Sequence, residues 1–161
     1  MAVNWAEVYE ETAEDLVRFV YRKVWDLDAA RDLVQEAFVR ALSEEPKNPR
    51  AWLFAVARNL ARDEAKKAIR RRKREEILAG SESSSAADPV ERLEGERRAT
   101  RVRRALGTLS SRDREALLLR ESGLGYEEIA AHTGLSAGSV GTTLSRARQR
   151  FLRAYEALED S

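Results

Sequence analysis

The sequence has no cysteine, one histidine and three prolines in 161 residues. The lack of cysteine excludes disulfide bonds, thiolate zinc sites and cysteine nucleophiles, and a lone His132 excludes sites that need two histidines. No apolar run approaches the roughly 20 residues of a membrane-spanning helix, and the N-terminus lacks the features of a secretory signal. Few prolines favour helices. We therefore expect a soluble, cytoplasmic, all-α protein with no metal, no cofactor and no membrane insertion.

Positive charge is concentrated in two parts of the chain. The totals almost cancel, with 29 Lys and Arg against 28 Asp and Glu. Residues 50–74 nevertheless carry ten basic and two acidic side chains, and residues 98–161 carry eleven basic and eight acidic ones. Residues 1–49 and 75–97 are acidic. This pattern indicates two contacts with a polyanion, although a solvated helix end accounts for the basic run 70–74 equally well.

Apolar residues at three-to-four spacing predict three helices in the first half of the chain, over about 5–24, 29–43 and 50–76. Asp28 is the predicted N-cap of the second helix. The predicted buried stripe of that helix consists of Val34, Ala37, Phe38, Ala41 and Leu42.

The domain organisation follows from the small polar residues at 80–89, which are typical of a flexible linker. We predict two small helical domains, at 1–78 and 98–161, joined by a flexible linker at 79–97.

A helix-turn-helix is predicted between Tyr126 and the C-terminus. Gly134 suits a tight turn between helices because it adopts a left-handed conformation readily, and Ser136 is a suitable N-cap. The predicted inward stripe of the second helix is Val140, Leu144, Ala147 and Phe151. A plain helical hairpin is the alternative interpretation.

The basic helix has a second face, distinct from its predicted core face at Leu53, Val56, Ala57 and Leu60. Trp52, Asn59 and Arg62 on that face combine a stacking ring, an amide and a cation. Such a mixture suits single-stranded or melted nucleic acid. A purely structural Trp52 is the competing interpretation.

Several stretches resemble a bacterial RNA polymerase sigma factor of the extracytoplasmic-function (ECF) class. Residues 32–38 (DLVQEAF) resemble the helix of sigma region 2 that docks on the β′ clamp. Residues 49–63 (PRAWLFAVARNLARD) resemble the segment that melts and recognises the −10 element. Residues 117–121 and 126–130 resemble the first half of region 4, and residues 136–148 resemble its recognition helix.

The resemblance implies a region 2 helical bundle, a region 4 helix-turn-helix and a non-enzymatic promoter-specificity subunit. Its partners would be core RNA polymerase, at the β′ clamp and β flap, and promoter DNA. The residues implied for core binding are Asp32, Gln35, Glu36 and Arg40. Those implied for −10 DNA are Trp52, Arg58, Asn59, Arg62, Lys66 and Lys67, with 70–74 on phosphates. Those implied for −35 DNA are Ser139, Thr142, Ser145, Arg146 and Arg148.

The resemblance also bears on the linker and on a further partner. It implies that the acidic linker runs towards the RNA exit channel. A cognate anti-sigma factor agrees with the resemblance, although no residue identifies one. Two positions depart from the family, because Gly141 and Thr143 stand where its recognition helix usually has basic residues. We expect this loss of two phosphate contacts to flatten the salt dependence of −35 binding by about 2 units.

Two other functions compete with this interpretation. A stand-alone helix-turn-helix regulator would explain residues 110–155, but would leave the helix at Asp32 and the Trp52 face unused. An enzyme such as a nuclease would need a shared metal site. Asp63 and Glu64 are adjacent carboxylates, but neighbouring helix positions diverge by about 100°.

Overall fold

The computed structural model describes residues 2–79 and 94–159. Across these two ranges the chain forms seven helices and no strand, which confirms the predicted all-α fold. They are α1 (Trp5–Val24), α2 (Leu27–Ala41), α3 (Pro49–Ala79), α4 (Glu94–Gly107), α5 (Ser111–Glu121), α6 (Tyr126–Thr133) and α7 (Ala137–Glu159). They divide into two compact units, α1–α3 and α4–α7.

The predicted linker at 79–97 lies largely outside the described residues, and so does its predicted path. At its edges, Ala79 ends α3 and residues 94–97 belong to α4. No helix in the described ranges is long and apolar enough to cross a membrane.

The first unit has an apolar core to which all three helices contribute. Leu16, Phe19 and Val20 of α1 are buried against α2 and α3. Phe19 meets Phe54 of α3 edge to face, with ring centroids 5.2 Å apart, a favourable geometry for two aromatic rings. Because Phe54 points into this core, α3 is oriented so that Asn59 and Arg62 remain exposed.

Side-chain caps begin the helices of the first unit. The Asn4 side chain accepts the N–H of Glu7 at 3.2 Å, and the Asn48 side chain accepts the N–H of Ala51 at 3.1 Å. The prediction that Asp28 caps α2 is wrong. Asp26 is the cap: its backbone is extended and its side chain accepts the N–H of Ala29, so Asp28 lies within the first turn.

The second unit contains the predicted helix-turn-helix, formed by α6 and α7. Gly134 joins them with a φ of 77°, the left-handed conformation that the sequence predicts. Val140, Leu144 and Ala147 of α7 are fully buried, whereas Phe151 is half-buried. Because this stripe faces the other helices of the unit, the opposite side of α7 is open to solvent.

Candidate polymerase and nucleic-acid interfaces

The exposed face of α2 presents the predicted core-binding residues. Asp32, Gln35, Glu36 and Arg40 are all exposed. An Nη of Arg40 lies 3.0 Å from a carboxylate oxygen of Glu36 one turn earlier. Such an exposed pair contributes only about 0.3–0.5 kcal/mol to the helix, so these side chains are available to a partner.

Sequence reasoning missed two apolar residues on the same side of α2. Val39 is 66% exposed and Leu42 is 70% exposed. Leu42 was predicted to be buried, and that prediction is wrong because α2 ends at Ala41 and Leu42 follows as its C-cap. The sequence did contain a signal for the exposure of Val39. Val39 lies three positions after Glu36 and four after Gln35, a spacing that places it on the polar side of the helix.

The exposed face of α3 carries most of the predicted −10 residues. Asn59, Arg62, Lys66 and Lys67 are exposed. Asn59, Arg62 and Lys66 follow one another at spacings of three and four, which aligns them along one side of the helix. An amide and two cations are therefore presented together. The basic run at 70–74 continues in exposed positions further along α3.

Trp52 and Arg58 are half-buried members of the same predicted set. The Trp52 ring packs against Trp5 at the start of α1, with centroids 6.1 Å apart and planes tilted by 53°. One side of the indole is therefore supported by the protein. Trp52 therefore fits both interpretations. One side of its ring packs within the protein, as a structural tryptophan would, and the ring still has solvent-accessible surface on which a base could stack.

The loop between α2 and α3 is tied to the N-terminal residues. The N–H of Val3 donates to a carboxylate oxygen of Glu45 at 2.9 Å. A cleft of about 510 Å³ opens beside this contact, lined by Glu7, Glu45, Lys47 and others. The loop is therefore anchored next to the start of α1.

The open side of α7 carries the predicted −35 residues. Thr142, Ser145, Arg146 and Arg148 are exposed, and Ser139 is half-buried. Ser139 donates through its hydroxyl to the carbonyl oxygen of Ser136 at 3.0 Å. The Ser136 hydroxyl, in turn, donates to that of Ser139 at 2.9 Å.

Position 143 does not face the open side of α7. Thr143 is only 4% exposed, because it lies three residues after Val140 and four before Ala147 in the buried stripe. The prediction that neutral Thr143 costs a phosphate contact is therefore wrong. Gly141 is half-buried beside Tyr126, whose ring carbon Cε2 lies 3.5 Å from the place where a Cβ at 141 would stand.

Metal ligands do not converge in the described ranges. No three His, Asp or Glu side chains there come together in a group that could hold a metal ion.

Comparison with known proteins identifies the family. Residues 8–75 match the family described as Sigma-70 region 2, and residues 99–151 match Sigma-70, region 4. The chain is 32% identical over 157 residues to the ECF RNA polymerase sigma factor SigC of Mycobacterium tuberculosis, covering 90% of this chain and 80% of that protein. This chain belongs to the ECF family of RNA polymerase sigma factors.

One further curated relative and two solved structures are also similar to this chain. The ECF RNA polymerase sigma factor EcfG of Rhodopseudomonas palustris is 37% identical over 131 residues, covering 76% of this chain and 69% of EcfG. A solved structure of the sigma factor RpoE with the anti-sigma factor NepR from Bartonella quintana is similar at 29% identity and a TM-score of 0.62, covering 95% of this chain and 97% of RpoE. CnrH, solved with the cytosolic domain of CnrY, has the same fold at 23% identity and a TM-score of 0.68, covering 95% and 88%.

The two sigma regions coincide with the two units of this ECF sigma factor. The region 2 match spans most of α1–α3, and the region 4 match spans most of α4–α7. The predicted clamp and −10 residues thus belong to region 2, and the predicted −35 residues belong to region 4.

Proposed function

We propose that this sigma factor binds core RNA polymerase through α2, captures melted −10 DNA on α3 and binds the −35 duplex with α7. The observation that carries the proposal is the exposed line of Asn59, Arg62 and Lys66 on α3. A duplex-binding regulator has no need for such a face beside an aromatic ring, whereas melted DNA offers unstacked bases and phosphates to it.

The α2 face supports the core-binding part of the proposal. Stable protein interfaces combine an apolar centre with charged and polar residues at the rim. Val39 and Leu42 supply the apolar surface, and Asp32, Glu36 and Arg40 supply charges beside it. We assign this face to the β′ clamp and region 4 to the β flap.

The α3 face supports the −10 part. Extruding a base from the duplex costs a few kcal/mol, and stacking on an aromatic side chain returns about 1–3 kcal/mol per base. Trp52 offers a supported ring, Asn59 offers an amide for a base edge, and Arg62 with Lys66 offers charge for phosphates. Arg58 and Lys67 extend the phosphate contacts in the proposal.

The α7 face supports the −35 part. A recognition helix needs short polar side chains near the bases and cations near the phosphates. Ser139, Thr142 and Ser145 are the proposed base-side residues, and Arg146 and Arg148 are the proposed cations.

The proposal places the protein in the cytoplasm, where it acts without catalysing a reaction itself. Catalysis belongs to the polymerase. An anti-sigma factor is a further proposed partner, in line with the complex of the sigma factor RpoE with the anti-sigma factor NepR.

Promoter binding separates this function from that of a stand-alone regulator. We expect promoter DNA to form a specific complex only when core polymerase and this chain are both present. The measurement is a gel-shift assay with the chain alone, core alone and both together. A specific, tight complex between duplex DNA and the chain alone would favour the regulator.

Glu36→Arg tests the proposed clamp face. We expect the affinity for core polymerase to fall about tenfold, because the substitution reverses a charge inside the proposed interface. It also places a cation beside Arg40, whose present pair with Glu36 spans 3.0 Å. A fluorescence titration of labelled protein with core polymerase measures the affinity.

Two further variants separate the interface from the helix. The double variant Glu36→Arg with Arg40→Glu restores an opposite-charge pair within α2, so we expect normal helix stability but weak core binding. Glu14→Arg makes the same charge reversal at an exposed position of α1 and should bind core normally. Wild-type affinity for the single Glu36 variant would refute the clamp face.

A further inference from the structure

A buried carboxylate at the start of α5 reaches the exposed side of α7. The Asp113 side chain is 5% exposed, and its Oδ1 accepts a hydrogen bond from an Nη of Arg146 at 3.1 Å. The two residues are 33 positions apart in sequence. The contact therefore joins two helices of the same unit, which also pack against each other.

The local sequence predicts a different role for Asp113. Ser110 followed three residues later by an acid has the form of a capping box, in which the acid bonds back to the N-cap backbone. Half of the box is present, because the Ser110 hydroxyl oxygen accepts the N–H of Asp113 at 3.2 Å. The carboxylate, however, bonds to Arg146. Local capping thus does not account for the acid.

The burial of the pair is unequal. The Arg146 side chain is 51% exposed while its partner is almost fully buried. A buried carboxylate needs a partner, since burial of an unpaired charge is costly. The guanidinium has five N–H donors in a rigid plane, so it can satisfy Asp113 with one edge and still offer donors to a ligand.

We propose that Asp113 is a positioning residue for promoter recognition, which holds the Arg146 guanidinium in a fixed orientation on the open side of α7. The inference rests on the proposed −35 role of α7. Two of the proposed base-side residues are exposed near Arg146 on that helix: Thr142 lies one turn before it, and Ser145 directly precedes it. The buried acid therefore aligns one donor group with the residues proposed to meet the bases.

This arrangement favours sequence discrimination over general DNA affinity. An arginine without a partner samples many rotamers and attracts any nearby phosphate, whereas a held guanidinium loses less freedom on binding its target. The negative charge of Asp113 also offsets the positive charge of Arg146. Removal of the acid should therefore strengthen non-specific attraction while it weakens discrimination.

Asp113→Asn tests the proposal in the full chain bound to core polymerase. The probes are a promoter fragment chosen by its mapped start site and the same fragment with its −35 element replaced. We expect the ratio of the two affinities to fall about tenfold, in line with the discrimination of a well-placed arginine. The salt dependence on the replaced fragment should steepen by about one unit, as for one added phosphate contact.

Matched variants distinguish positioning from a charge effect and from a fold effect. Glu156→Gln removes one negative charge from an exposed position of α7, about 15 Å further along the helix, and should leave the ratio unchanged. In an Arg146→Gln background, Asp113→Asn should have no further effect on the ratio. If Asp113→Asn does not fold, Arg146→Lys keeps a cation for the acid but loses the planar guanidinium, and the ratio should fall similarly.

The outcomes separate failure of this inference from failure of the proposed function. A folded Asp113→Asn protein with the ratio and salt slope of Glu156→Gln would overturn the inference. The inference would also be overturned if Asp113→Asn lowered the affinity ratio as much in the Arg146→Gln background as in the wild type, because the role of Asp113 would then be structural only. Equal binding of both fragments by the wild-type holoenzyme would overturn the −35 role of α7, and the positioning role with it.

Discussion

Asn59→Ala should abolish most promoter-dependent transcription while the affinity for core polymerase stays at the wild-type level. Asn59 is exposed in the middle of α3, where its amide faces solvent beside Arg62. A base contact through such an amide contributes about 1–3 kcal/mol. We therefore expect a loss of roughly tenfold or more in run-off transcript.

The stability of the same variant provides an independent check. Asparagine is a poorer helix former than alanine by up to about 0.7 kcal/mol, so the substitution should leave the free energy of unfolding unchanged or slightly higher. Glu75→Ala, at an exposed position of the same helix, is the control and should transcribe normally. Wild-type transcript levels from the Asn59 variant would refute the proposed −10 face.

Phe54→Ala should unfold or nearly unfold the α1–α3 unit. Phe54 is fully buried and meets Phe19 edge to face at 5.2 Å. Truncation of a buried phenylalanine costs about 3–5 kcal/mol, which is a large fraction of the stability of a small domain. We expect the urea midpoint of this unit to fall by about 2 M and core binding to be lost.

Tryptophan fluorescence reports this transition selectively. All three tryptophans, Trp5, Trp25 and Trp52, lie within or between the helices of the α1–α3 unit. Leu78→Ala removes an apolar side chain that is 84% exposed at the end of α3, and should leave the midpoint unchanged. Equal effects of the two substitutions would contradict the core assignment.

Much of the helical framework is predictable from the sequence. The apolar spacing predicts α1 at 5–24, which agrees with the observed Trp5–Val24, and Gly134 takes the predicted left-handed turn. These features depend on local physics. The N-cap of α2 is different, because Asp26 and Asp28 are both acceptable caps and the backbone conformation selects Asp26.

Two errors on the candidate faces have separate causes. Leu42 continues the apolar spacing of α2, but the helix ends one residue before it. Thr143 was placed towards DNA by analogy with basic residues in the family, although its spacing from Val140 and Ala147 indicates burial. In the second case the periodicity of the chain itself was the better guide.

The contact between Asp113 and Arg146 could not be derived from the sequence. Asp113 fits a local capping pattern, and Arg146 is one of several arginines in α7. Their pairing depends on how α5 packs against α7, which no local pattern specifies. Tertiary packing thus adds a positioning role to residues that each have a simpler interpretation alone.

Run-off transcription with bacterial core polymerase on fragmented genomic DNA tests the central claim most directly. The reaction is run with and without this protein, and the 5′ ends of the transcripts are mapped. We predict discrete ends that appear only with the protein and share two upstream elements. No new ends from an active core, with a protein in which both units are folded, would contradict its role in directing initiation.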